Sequence, residues 1–226
     1  NGIARIGHMT GGKSALWKDE TIADTFTGKA VGFIKANKDR PFFLYLATHD
    51  VHAPLVPHPR FCGGSQAGKR GDAVQSFDCT VGEVVKTLGE LGLVDNTLMM
   101  ITSDNGVYPG QVKGYSPNGP LRGFKSQAFE GGVRVPFIAA WPGKIRPGRT
   151  HSILSLTDMM ATVAAAAGLV LPDNAGRDSV NQLPVFLDPA VSARDTVITQ
   201  YTYKSGPGCP RSIRDGKWKL IDGKDG

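Results

Sequence analysis

The residues best suited to chemistry lie in one stretch, residues 101–136, where polar groups follow an apolar run. Asp104 and Asn105 come directly after TLMMITS, and Arg122 and Lys125 follow within a glycine-rich loop. Carboxylate and amide oxygens are the hard ligands that divalent cations such as calcium prefer, and fixed cations stabilise oxyanions. The stretch therefore predicts a site for a divalent metal ion beside an oxyanion.

A second group of candidate residues follows another apolar run. FFLYLA at residues 42–47 predicts a strand covered on both faces, as in a mostly parallel sheet between layers of helices. His49, Asp50 and His52 come next, and the strand predicted at 97–103 ends at the Asp-Asn pair. Open α/β sheets bind ligands at the carboxyl ends of their strands, so we expect the two groups to meet at one sheet edge. For each single histidine, the alternative is a loop side chain bonded to the backbone.

The elements that must position these groups follow from periodicity and capping signals. Apolar residues at helical spacing predict helices at about 20–38 and 72–91. Ser155 and Asp158 form a predicted capping box, which gives Asp158 a structural role at the start of a third helix. Further strands are expected at 135–141, 196–201 and 218–221.

Two blocks, 42–61 and 97–145, resemble the sulfatase family of the alkaline phosphatase superfamily. The likeness rests on F-F-L-Y-x-A-x-H-x-x-H-x-P, on SDNG, and on GPLRG-x-K-x(4)-EGG-x-R-x-P. The resemblance implies an α/β fold with a mostly parallel sheet between helix layers, alkaline phosphatase-like and incomplete here. It implies a partial core over residues 1–190, and the start of a small C-terminal antiparallel sheet over 191–226.

The resemblance also implies roles for individual residues. Asp104 and Asn105 match the family's calcium ligands, with magnesium as an alternative ion. His52 and Lys125 match residues that contact the sulfate and assist the leaving group, and His49 matches a further substrate-binding position. Structural ion pairs are the expectation for Arg122 and Arg134.

The function implied by the resemblance is that of a calcium-dependent sulfuric ester hydrolase of the arylsulfatase type. Its substrate would be a sulfated small molecule or a sulfated glycan, and its location periplasmic or secreted. Family members use a formylglycine made within C/S-x-P-x-R, and neither this motif nor the family's early aspartate pair occurs in the sequence. We therefore expect the nucleophile upstream and this chain alone to be inactive. The alternatives are a phosphate or phosphonate ester hydrolase of the same superfamily, or a catalytically inactive fragment or pseudoenzyme.

Composition narrows the remaining classes. The net charge of +6 is spread among acids, and no dense basic run alternates with aromatics, which argues against nucleic-acid binding. No apolar run approaches the roughly 20 residues that a membrane-spanning helix needs. GHMTGGKS at residues 7–14 matches a P-loop, but the strand before and the helix after are missing, so a surface loop is favoured. Cys62, Cys79 and Cys209 show no zinc-ligand spacing, and their disulfide state is open.

Overall fold

The computed structural model of the protein describes residues 12–13, 17–108, 114–200 and 211–222. The chain divides into two compact units, Asn1–Val94 with Gly110–Tyr115, and Asp95–Pro109 with Ser116–Gly226. The boundary predicted near residue 190 stays a prediction. Apart from residues 12 and 13, the P-loop-like segment lies outside the described residues.

The first unit is built on two helices, α1 at Ile22–Ala36 and α2 at Gly68–Glu90, which confirms the two longest predicted helices. The helices pack against each other, and the Thr27 and Thr80 hydroxyl oxygens lie 2.9 Å apart between them. The buried side chains of the pair are mostly small or short: Ala23, Ala30 and Ile34 of α1, and Asp72, Ala73, Ser76, Thr80, Thr87 and Leu88 of α2. Small side chains let the two backbones approach closely.

The apolar residues at helical spacing that predicted α2, among them Val74, Val85 and Leu88, are only partly its packing face. Leu88 is buried, but Val74 and Val85 are 49% and 40% exposed. The buried face of α2 includes Ala73 and Ser76 instead, so the hydrophobic pattern alone did not predict which face packs.

The run at residues 42–47 forms no strand in the described part of the chain. Its burial alternates, with Phe43 66% and Tyr45 81% exposed and their neighbours half-buried. The expectation of a strand covered on both faces is therefore wrong for these residues. The alternation is that of an extended segment covered on one face only.

The second unit contains two antiparallel sheets, and the predicted mostly parallel sheet is not confirmed. Strand β1, Met99–Thr102, pairs with β2, Phe137–Ala140, so that Met99 lies opposite Ala140. The short helix α3, Glu130–Val133, comes just before β2. The segment between β1 and α3 carries most of the candidate functional residues.

Three strands near the C-terminus form the other sheet of the second unit. β3 is Thr196–Gln200, β4 is Arg211–Asp215 and β5 is Trp218–Asp222, in the order β3-β4-β5 with antiparallel neighbours. This confirms the small antiparallel sheet that was expected there. β4 was not predicted as a separate strand, although the Asp-Gly turn at its end is a hairpin signal.

A buried polar network surrounds Asp158, ahead of helices α4, Met159–Ala166, and α5, Leu183–Leu187. The capping box with Ser155 is present as predicted, and Asp158 is fully buried. Its carboxylate also pairs with Arg194 and accepts from the amides of Val180 and Gln182. Burial alone would raise the pKa of Asp158, but the bonds from Arg194 and the surrounding amides hold that pKa below its usual value on balance.

Two other sequence expectations are addressed by the described residues. Among these residues, no helix is both long and apolar enough to cross a membrane. Cys62 and Cys79 are free thiols, and Cys209 lies outside the described residues.

Candidate functional site

The acid turn, which we define as residues 103–107, follows directly after β1. The Ser103 hydroxyl donates to the Asn105 carbonyl oxygen over 3.0 Å, which bends the chain. Asp104 is exposed and Asn105 half-buried, and the Asn105 side-chain amide donates to Asp104 Oδ1. The polar ends of the two predicted metal ligands therefore adjoin.

Gly106 is required by a close backbone approach within this turn. Its amide donates to the Gly132 carbonyl oxygen over 2.9 Å, and a Cβ at Gly106 would lie 1.8 Å from the Gly131 carbonyl oxygen. Its φ lies outside the left-handed region, so the glycine is not explained by turn geometry. The Asn-Gly pair is thus more than a turn signal, because the second residue admits a neighbouring backbone.

That neighbouring backbone belongs to the lysine loop, which we define as residues 119–132. The Lys125 amide donates to the Val107 carbonyl oxygen over 3.2 Å and so ties the loop to the acid turn. Ser126 has a φ of 82° in the left-handed region. The Gln127 side chain accepts from the Phe124 amide over 3.2 Å and closes this tight bend. The backbone on both sides of Lys125 is therefore fixed.

The Lys125 side chain is half-buried and has no hydrogen-bond or ion-pair partner among the described residues. The other cations in this loop or next to it do have contacts. Arg122 stacks over the Phe129 ring at 3.9 Å, so its expected structural role takes the form of a cation–π contact rather than an ion pair. Arg134 forms the expected ion pair, with Glu130 at 3.9 Å. Lys125 is thus the cation of this loop left available for an anion.

Glu130, which the sequence did not single out, anchors the far end of the lysine loop. Its carboxylate oxygens accept from Arg214 over 2.8 Å and from Lys219 over 2.9 Å. Arg214 lies on β4 and Lys219 on β5, so the C-terminal sheet holds the loop through charge-assisted bonds. No local sequence signal marks this contact, because its partners lie more than 80 positions away.

The predicted histidines lie in the first unit, in a turn closed by a 2.9 Å bond from the His52 amide to the His49 carbonyl oxygen. Helix α2 holds this turn at Asp50, whose Oδ1 accepts from the Ser76 hydroxyl over 2.8 Å. His49 Nδ1 is buried without a partner among the described residues, and its ring meets Phe26 edge-on.

The tautomer of His52 follows from one contact. His52 Nδ1 lies 2.5 Å from the Ala53 carbonyl oxygen, which only accepts, so Nδ1 carries the hydrogen. The neutral ring therefore presents Nε2 as an acceptor. The acid turn belongs to the second unit, so the expectation that His49 and His52 lie close to it stays a prediction.

The acid turn fits part of a calcium site. Asp104 and Asn105 supply two or three hard oxygens, whereas calcium takes about six to eight. Rotating the Asn105 amide by half a turn would set its oxygen beside the Asp104 carboxylate, and nothing else in the turn bonds that amide. The described residues contain no cluster of three or more His, Cys, Asp or Glu side chains able to hold a metal ion. Further ligands are therefore required.

Several known proteins are similar to this chain. A family model described as Sulfatase matches residues 8–169. An N-acetylgalactosamine-6-O-sulfatase from Bacteroides thetaiotaomicron is 44% identical over 234 residues, covering 100% of this chain and 45% of that protein. Arylsulfatase A from Bos taurus is 39% identical over 183 residues, covering 81% of this chain and 36% of that protein.

Two solved structures are also similar to this chain. One, described as part of glycosaminoglycan metabolism by Bacteroides thetaiotaomicron, matches with a TM-score of 0.86 and 43% identity over 96% of this chain and 46% of that one. Ps i-CgsB in complex with k-i-k-neocarrahexaose matches with a TM-score of 0.80 and 29% identity over 90% of this chain and 46% of that one. The chain thus spans less than half the length of these relatives.

Proposed function

The chain belongs to the sulfatase family, and from that premise we propose that the full-length protein hydrolyses sulfate esters with the help of a calcium ion. The observation that carries the proposal is the bond between the Lys125 amide and the Val107 carbonyl oxygen. It places a lysine without a partner among the described residues beside the turn that carries Asp104 and Asn105. An anion bound there would meet both the lysine and a cation held by the turn.

Asp104 and Asn105 would hold the ion through their side-chain oxygens, with magnesium as the alternative to calcium. A calcium ion held there would supply positive charge that stabilises a bound sulfate. Magnesium demands a stricter octahedral geometry, whereas the acid turn offers a single carboxylate that is exposed, which favours calcium. The remaining ligands would come from elsewhere in the protein.

Lys125 would donate hydrogen bonds to the sulfate and neutralise charge that develops on the leaving oxygen. By resemblance to the family, His52 would also contact the sulfate and assist the leaving group. Its Nδ1 hydrogen is held by the Ala53 carbonyl oxygen, so Nε2 is the nitrogen that would exchange a proton. By the same resemblance, His49 would contact the substrate. The nucleophile, a formylglycine by family resemblance, would come from outside this chain.

The substrate class is proposed from the relatives. The Bacteroides protein is named for N-acetylgalactosamine 6-O-sulfate, so a 6-O-sulfated amino sugar is the first substrate to test. An aryl sulfate is the second, because arylsulfatase A is also similar to this chain. A phosphate monoester distinguishes the sulfatase from a phosphatase of the same superfamily.

The test uses the full-length protein and measures both sulfate release and calcium binding by isothermal titration calorimetry. Asp104→Ala is expected to abolish calcium-dependent turnover and weaken calcium binding, and Lys125→Ala to lower kcat about 10²–10³-fold with calcium binding retained. Asp173→Ala, which removes another exposed carboxylate from the same unit, is the matched control and should change neither. Undiminished turnover in Asp104→Ala would refute the metal assignment. Faster release of phosphate than of sulfate would refute the reaction class.

A further inference from the structure

Asn118 is the one side chain, among the described residues, that bonds to both the acid turn and the lysine loop. Its Oδ1 accepts from the Val107 amide over 3.1 Å. Its Nδ2 donates to the Val107 carbonyl oxygen over 3.3 Å and to the Gly123 carbonyl oxygen over 3.1 Å. The half-buried side chain thus pairs with both polar groups of one residue, as a neighbouring strand would.

The orientation of the Asn118 amide is fixed by these three bonds together. Reversing it would set the NH2 group against the Val107 amide and the oxygen against two carbonyl oxygens. Each of the three contacts would become repulsive, so only one orientation satisfies the network. An amide is therefore required here, since a hydroxyl or a carboxylate offers a different set of donors and acceptors.

The two segments that Asn118 joins are those that carry the proposed chemistry. Val107 lies two residues after Asn105, and Gly123 lies two residues before Lys125. We propose that Asn118 is a positioning residue, which sets the distance between the metal-binding pair of the acid turn and the anion-binding lysine. This proposal rests on the proposed sulfatase function.

The expected effect exceeds that of a lost surface contact, because the site works only if metal and lysine reach the same anion. Outer partners that orient metal ligands typically change metal affinity or activity 10–100-fold when removed. Displacements of about 1 Å in a reacting group cost on the order of 10²-fold in rate. We therefore expect Asn118→Ala to weaken calcium binding about tenfold and to lower kcat/KM about 10–100-fold, with KM raised.

Asn118→Asp separates positioning from simple space-filling. The aspartate has nearly the same shape and can still accept from the Val107 amide. It would, however, face the Val107 and Gly123 carbonyl oxygens with an oxygen instead of a donor. We expect its loss of calcium affinity to equal or exceed that of Asn118→Ala.

Asn37→Ala is the matched control. Asn37 is buried, its Nδ2 donates to the Phe33 carbonyl oxygen over 2.7 Å, and its Oδ1 accepts from Arg40 over 2.8 Å. Truncating Asn37 to alanine removes a similar number of side-chain hydrogen bonds at the end of α1, in the first unit. It should lower the melting temperature and leave the calcium affinity and the KM of the folded protein unchanged.

The experiment measures melting temperature, calcium affinity and steady-state kinetics on the full-length wild type, Asn118→Ala, Asn118→Asp and Asn37→Ala. Weaker calcium binding and a raised KM in both Asn118 variants, beyond any change in Asn37→Ala, support the proposal. An active, calcium-binding wild type whose Asn118 variants keep their calcium affinity and KM overturns it and leaves the proposed function intact. A wild type that neither binds calcium nor releases sulfate refutes the proposed function, and the role of Asn118 with it.

Discussion

Replacing Gly106 with alanine tests whether the close approach of two backbones builds the site. The added Cβ would lie 1.8 Å from the Gly131 carbonyl oxygen, where distances under 3.0 Å are essentially never found. The backbones must therefore separate by about 1.2 Å, and the atoms in the way are main-chain atoms that no rotamer change can move. The acid turn cannot keep its place in the variant.

The size of the effect follows from two contributions. The 2.9 Å bond between the Gly106 amide and the Gly132 carbonyl oxygen would be lost, at about 0.5–1.5 kcal/mol. Forcing a methyl group into a filled space costs typically about 1–3 kcal/mol. We expect Gly106→Ala to lower the free energy of unfolding by roughly 2–4 kcal/mol. Sulfate ester turnover should fall further than the folded fraction, because Asp104 and Asn105 move with the turn.

Gly82→Ala is the control for this prediction. Gly82 lies exposed within α2, and its added Cβ would meet no atom within 4 Å. Alanine is the better helix former, so this variant should gain about 0.5–1 kcal/mol and keep its activity. We would measure urea unfolding and sulfate release for both variants and the wild type, all as the full-length protein. If Gly106→Ala matched the wild type in stability and turnover, the close approach of the two backbones would not be needed to build the site.

Three further perturbations have defined outcomes. Because the pKa of Asp158 is lowered in the folded protein, its stabilising effect is complete above about pH 4 and is lost as the pH falls through the folded-state pKa. Asp158→Asn should therefore lower the free energy of unfolding by about 3–5 kcal/mol at pH 7. The difference in unfolding free energy between variant and wild type, measured with urea, should become smaller below about pH 4. A difference that does not change with pH would contradict the ion pair with Arg194. Glu130→Gln should lower the unfolding free energy by about 1.5–3 kcal/mol through weaker bonds to the C-terminal sheet, and an unchanged urea midpoint would count against that anchor. Ser126→Val should destabilise by about 1–3 kcal/mol relative to Ser126→Gly, because a β-branched residue resists a φ of 82°; equal melting temperatures would exclude backbone strain there.

Local patterns predicted the local structure well. Helical periodicity located α1 and α2 to within a few residues, and the capping box of Ser155 and Asp158 is present. Helices and capping boxes depend on residues a few positions apart, so a single sequence is enough to predict them. The strand expected at 42–47 did not form in the described residues, because an apolar run cannot say which neighbour will pair with it.

The sequence predicted which residues form the candidate site, but it did not predict the contacts that hold them in place. Asp104, Asn105 and Lys125 were recognised from their motifs, and the structure brings the turn and the loop that carry them together. Asn118 was not singled out from the sequence, and its three bonds reach residues 5 and 11 positions away. Contacts at such distances leave no periodic signal.

The linkage between the acid turn and the lysine loop has a kinetic consequence. It includes the main-chain amides of Gly106 and Lys125, which donate to the Gly132 and Val107 carbonyl oxygens across the two segments. None of these amides can open to solvent without separating the two segments, so they should exchange their hydrogens for deuterium in one cooperative opening event. An ion or anion that bridges the segments would slow exchange at all of them together, including amides that it never touches.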